Sequence, residues 1–192
     1  MRLIIVDGLD GVGKDTHAEL IKKRYEAKGE TVIIRSHPST DNRFGRQAKK
    51  ALLAKGKVNQ LKASMFYALD VLHSIRKYYR HPKSDTLVMV RYLVGTAYLP
   101  RKLAPYGYHF FEKFVPTSRY MFFLDAAPED LVKRIRQRSE TEMFETLEAF
   151  QKVRSKALPL VKHWYIINSS RSLEETAKDI AVILDKLDAQ AA

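Results

Sequence analysis

Cysteine is absent from the 192 residues, which excludes disulfides and thiolate metal sites and fits a reducing, cytoplasmic setting. Long apolar runs are missing as well: none approaches the roughly 20 residues that a membrane-spanning helix needs. The apolar start of the chain is too short for a signal peptide and reads as a first strand. No repeat, low-complexity tract or linker divides the chain, so one domain spanning 1–192 is expected. The six histidines show no ligand spacing on any one element, and no Ser or Cys constellation points to a covalent nucleophile. Acidic residues are in deficit, since 34 Lys and Arg face 22 Asp and Glu, for a net charge of +12. That balance admits two readings: a nucleic-acid partner, or a site for polyanionic small molecules beneath a basic, solvated surface.

What is present is a globular composition, 45% hydrophobic and 29% charged, arranged as alternating strands and helices. Short β-branched or apolar runs at Arg2–Asp7, Thr31–Arg35, Asp85–Val90, Arg119–Asp125 and Trp164–Asn168 read as five strands. Helical segments are expected after Lys14, from Arg43 to Lys55, Asn59 to Tyr79, Pro128 to Arg138, Phe144 to Lys162 and Leu173 to Leu187. Leu99–Thr117, with its prolines and aromatics, reads as a helix with irregular flanks. Strand–helix alternation of this kind predicts a three-layer α/β domain with a parallel sheet. Ligands gather at the carboxyl ends of such strands.

The first of those ends carries the strongest motif. In VDGLDGVGKDTHAEL, Gly8, Gly13 and Lys14 satisfy GxxxxGK[ST], and Asp15 breaks it before Thr16. A strand precedes the motif and a helix follows, which is the context the motif requires. Gly8, Leu9, Asp10, Gly11, Val12, Gly13, Lys14, Asp15 and Thr16 are therefore expected to cradle nucleotide phosphates, with backbone N–H groups, a helix N-terminus and the Lys14 ammonium as donors. The fold expected is the P-loop NTPase fold, a five-stranded parallel sheet flanked by helices.

Five segments, in order, resemble thymidylate kinases among the P-loop nucleoside monophosphate kinases: DGLDGVGKDT, MFYALDVLH, VRYLVGTAY, FFLDAAPEDLVKRIRQR and INSSRSLEETAKDI. The resemblance implies ATP- and Mg2+-dependent phosphorylation of a nucleoside monophosphate, with dTMP as default acceptor, in a protein that can dimerise. It implies Asp10 at the acceptor sugar, Phe66 stacked on the acceptor base, Arg91 on the acceptor phosphate and Tyr98 near the sugar. It implies a short lid at about 134–146 that carries Arg134, Arg136 and Arg138, with Arg134 and Arg138 expected catalytic beside Lys14 and Arg91, and it places Arg171 in the adenine-gripping loop.

Three departures accompany the likeness. The strand-three carboxylate is Val90, and the base-reading arginine is Asp70. The arginine after strand two has no clear match, with Arg43 the nearest candidate for a phosphate contact. Asp15 is expected to hold Mg2+ in place of the missing acid, with Thr16 as a second oxygen donor; a plain helix-dipole charge is the alternative reading of Asp15. The departures keep two further functions open: a degenerate P-loop protein that binds nucleotide or nucleic acid, and a kinase for another small acceptor.

Overall fold

The computed structural model describes residues 1–54, 56–136 and 146–190. Five strands, β1 (Arg2–Gly8), β2 (Val32–Ser36), β3 (Thr86–Val90), β4 (Tyr120–Asp125) and β5 (Tyr165–Asn168), form one sheet in the order β2-β3-β1-β4-β5. Every pairing is parallel. The central strands are apolar along their length because helices cover both faces of a parallel sheet. Ile4, Ile5, Val6, Leu87, Val88, Met89, Val90, Phe122, Phe123 and Leu124 are all fully buried. At the β5 edge Ile166 is exposed, as an outer strand permits.

The helices are α1 (Lys14–Glu26), α2 (Arg43–Leu53), α3 (Lys57–Ser74), α4 (Ala104–Phe114), α5 (Pro128–Ile135), α6 (Leu147–Leu160) and α7 (Leu173–Ala189). α1 and α7 lie against each other and against the sheet, while α2 packs along α3. The stretch expected as one helix over Asn59–Tyr79 is α3 followed by a π-helical turn, Ile75–Tyr79, closed by the Arg80 N–H on the Ile75 carbonyl at 2.9 Å. Leu99–Thr117 resolves into α4, which begins with Pro105 in its first turn, where a missing N–H costs nothing. A 3₁₀ turn, Val94–Tyr98, precedes it. Most of the expected lid, residues 137–145, lies outside the described residues.

β1, β3 and β2 end side by side, with Val6 level with Val90 and Val90 level with Ser36. The loops that leave these three ends therefore converge. Val90 is fully buried within its strand, so the position where the resemblance implies an acid is filled here by core.

Candidate active site

The loop from β1 to α1 turns sharply at Gly8, Gly11 and Gly13, with φ of 147°, 88° and 88°. A Cβ on Gly8 would lie 2.4 Å from the Leu124 carbonyl oxygen, so only glycine lets β1 leave the sheet beside β4. Leu9 and Val12 turn into the core and pin the loop from beneath. Lys14, in the first turn of α1, is buried, and its Nζ donates to the carbonyls of Gly8 at 2.8 Å and Leu9 at 2.6 Å. The same ammonium lies 3.4 Å from Asp10 Oδ1. Burial lowers the Lys14 pKa against the pull of Asp10.

Asp10 joins the phosphate loop to the end of β3. Its Oδ1 is 3.5 Å from Arg91 Nε, and its Oδ2 accepts from the Tyr98 hydroxyl at 3.0 Å. Desolvation opposes ionisation of Asp10, but Lys14, Arg91 and Tyr98 outweigh it and hold the carboxyl down to about 2. Arg91 in turn is raised above its ordinary value: burial works against its charge, and Asp10 and Asp15 more than restore it. One guanidinium nitrogen of Arg91 donates to both Asp15 oxygens, at 3.2 and 2.9 Å, and to Ser36 Oγ at 3.0 Å. Ser36 completes the triangle by donating to Asp15 Oδ1 at 2.8 Å.

A residue that sequence reasoning passed over sets this geometry. Asp7, buried at the end of β1, accepts the backbone N–H groups of Tyr92, Leu93 and Val94 on Oδ2, each at 2.9 Å, and that of Gly8 on Oδ1 at 3.0 Å. These bonds hold the turn in which Arg91 adopts φ 55°, a left-handed conformation that arginine rarely takes. An acid closing an otherwise apolar strand was the available signal.

Beside Arg91 opens a cavity of about 300 Å3. Asp10, Arg91 and Tyr98 line it together with the α3 residue Tyr67 and, across from it, Gly95. The Tyr67 hydroxyl donates to the Arg91 carbonyl, and its ring packs closely on Gly95. A strand–loop–helix cradle with a buried lysine is thus joined through one carboxylate to an arginine at the mouth of a second, base-sized cavity. The thymidylate kinase family model matches residues 6–180, a span that contains all of these groups.

The chain belongs to the thymidylate kinase family.

Probable thymidylate kinases of Thermococcus gammatolerans and Pyrococcus abyssi are 26% and 27% identical to it, over 95% and 94% of both chains. The thymidylate kinase of Desulfotalea psychrophila is 26% identical over 97% of this chain and 95% of its own. The solved thymidylate kinase of Candida albicans superposes with a TM-score of 0.80 over 97% of this chain and 92% of that one. At 14% identity that likeness concerns the fold.

Within the family frame, several expected residues stand elsewhere. Phe66 does not line the cavity, and Tyr67 does. The α3 residues on its wall are Gln60, Ala63, Ser64, Tyr67, Ala68 and Val71, the spacing of one helical face. Each residue advances about 100° around a helix, so Phe66 and Asp70 fall off that face. Asp70 is fully buried, and its carboxylate accepts from Ser39 N–H and Oγ, both at 2.6 Å, and from Asn42 Nδ2 at 2.7 Å. It braces the loop after β2 instead of facing a base. Arg35, 3.9 Å from Asp70, shares Ser74 Oγ with His37, each at 2.9 Å.

Arg43 is exposed at the start of α2 and stacks on Phe44, 4.8 Å from the ring centre, away from the cavity. Arg171 pairs with Asp179 on α7. Arg134, in the last turn of α5, donates to the Gly11 carbonyl at 3.3 Å and the Ser169 carbonyl at 2.8 Å, and so ties the phosphate loop to the loop after β5. Arg136 is exposed, and Arg138 lies outside the described residues. Asp15 and Thr16 are both exposed at the start of α1, where hard oxygen donors suit Mg2+.

Proposed function

We propose that this protein transfers the γ-phosphoryl group of ATP to dTMP, giving dTDP and ADP. The observation that carries the reading is Asp10, whose one carboxylate stands 3.4 Å from Lys14 and 3.5 Å from Arg91. A phosphate-loop cation and a second, cavity-side cation are thereby held on either side of a short gap. In-line phosphoryl transfer needs that arrangement and little else, because positioning and charge neutralisation supply most of the catalysis.

In this reading the amides of residues 8–16 and Lys14 hold the donor phosphates. Lys14 exchanges its carbonyl partners for phosphate oxygens that bear full charge, a stronger bond than a neutral acceptor makes. Arg91 takes the acceptor phosphate, and its guanidinium stays charged at any working pH. Tyr67 forms the floor for the acceptor base, and Asp10 and Tyr98 stand beside its sugar. Arg134 supplies positive charge above the phosphate loop. Asp15 and Thr16 would be the oxygen donors for Mg2+, which when bound neutralises phosphate charge. No side chain has to become covalently attached.

The test is ADP release measured with ATP and Mg2+ across the common nucleoside and deoxynucleoside monophosphates. Release that depends on dTMP is the expected result. Absence of any acceptor-dependent release, with salt-sensitive binding of DNA or RNA instead, would overturn the reading.

A further inference from the structure

The Asp15–Arg91 pair joins two groups assigned to different substrates. Asp15 stands at the donor side, next to Lys14, at the start of α1. Arg91 stands at the mouth of the acceptor cavity. Between them the bonding is complete, because one Arg91 nitrogen reaches both Asp15 oxygens and Ser36 bridges the two. The terminal nitrogen so engaged is not free for a phosphate, so an acceptor phosphate that grips Arg91 with both terminal nitrogens competes with Asp15.

The two partners are unequally held. The Asp15 side chain is 57% exposed and has only a short stem to move, whereas that of Arg91 is 26% exposed. Arg91 is also fixed through its backbone, by its N–H on the Val6 carbonyl at 3.3 Å and by the Asp7-capped turn that follows. Arg91 keeps a second anion, Asp10, 3.5 Å from its Nε, so the more exposed Asp15 is the freer of the two. A serine or threonine at this place in the loop would carry no charge and could not occupy Arg91 in this way.

We propose that Asp15 is a positioning residue that couples the two substrates. Its carboxylate holds Arg91 in the free protein, turns to the donor's divalent cation when Mg2+·ATP binds, and so leaves Arg91 to the acceptor phosphate. Donor binding thereby tightens acceptor binding, and by reciprocity acceptor binding tightens donor binding by the same factor. The inference rests on the assignment of Arg91 to the acceptor phosphate given above.

The experiment is calorimetric binding of dTMP to the wild-type protein, Asp15→Ala and Glu19→Gln, each with and without Mg2+ and a non-hydrolysable ATP analogue. Glu19 is exposed one turn further along α1, so its change removes the same charge without touching Arg91. Asp15→Ala alone should bind dTMP about three- to fivefold more tightly than wild type, the modest factor that a half-exposed ion pair supports. The Mg2+·analogue should then tighten dTMP binding in wild type and Glu19→Gln by a larger factor than in Asp15→Ala. The proposal is overturned if Asp15→Ala binds dTMP no more tightly, if Glu19→Gln tightens it equally, or if the analogue acts alike on all three. Wild-type protein that binds no dTMP under any of these conditions would remove the acceptor assignment itself, and the coupling with it.

Discussion

The Asp7 carboxylate accepts the Tyr92 N–H at 2.9 Å across the boundary between β1 and β3. The same oxygen takes the next two N–H groups, so one buried acid at the root of the phosphate loop shapes the turn that aims Arg91. The two halves of the site are built by neighbouring strands and are locked together by this contact.

Asp7→Ala should therefore act on both stability and acceptor use. Buried N–H groups lose a charged acceptor, at a cost of about 2–4 kcal/mol. Urea unfolding should show that loss, and steady-state kinetics should show a raised KM for dTMP in the fraction that remains folded. A variant with unchanged KM would detach Asp7 from Arg91.

Lys14→Met keeps the length of a buried side chain and removes only the cation. Turnover should fall by about 100-fold or more, the usual effect of deleting a fixed charge that acts on the transferring group. Circular dichroism should show the fold intact. Retention of wild-type turnover would exclude the phosphate loop from catalysis.

The face of α3 gives a paired test. Tyr67→Ala should raise the KM for dTMP by about tenfold, equivalent to roughly 1.4 kcal/mol. Phe66→Ala should leave it within about twofold of wild type. Asp70→Asn should lower stability while leaving the order of preference among dTMP, dUMP and dCMP unchanged, because its carboxylate braces Ser39 and Asn42. A reversal of base preference in Asp70→Asn would return that residue to the substrate.

His37 supplies a pH signature. Burial pushes its imidazole down to about 4, against the favourable influence of Asp70. An unfolded histidine titrates near pH 6.5, at about its ordinary value. Between roughly pH 6.5 and 4 the unfolded chain binds a proton that the folded chain refuses, so stability falls as the pH is lowered through that window. Denaturation midpoints of wild type and His37→Asn, taken from pH 7 to 4.5, should show a shallower decline for the variant. Parallel curves would assign the acid sensitivity elsewhere.

Much of this was legible in the residues, for a local reason. A strand, a glycine turn and a helix N-terminus lie within consecutive residues, so the order of Arg2–Asp7, Gly8, Gly13 and Lys14 was enough to place the phosphate loop. Arg91 and Tyr98 were expected from the likeness of VRYLVGTAY to the family's segment, and both follow the end of an apolar strand. Phe66 and Asp70 were misplaced because likeness between segments fixes order along a helix and not its rotation. An offset of one residue turns a side chain through about 100°. Arg43 was chosen by nearness in sequence, and it lies exposed at the start of α2 with its guanidinium over the Phe44 ring.

The sequence by itself determined the alternation of elements, the family and the loop around Lys14, since periodicity and short-range turn chemistry depend only on neighbouring residues. Tertiary structure alone decided that Asp7 caps the turn beside Arg91, that Tyr67 and not Phe66 faces the cavity, and that Asp15 lies against Arg91. Those three contacts join residues 85, 24 and 76 positions apart along the chain, and only the packing of β1, β3, α1 and α3 brings them within bonding distance.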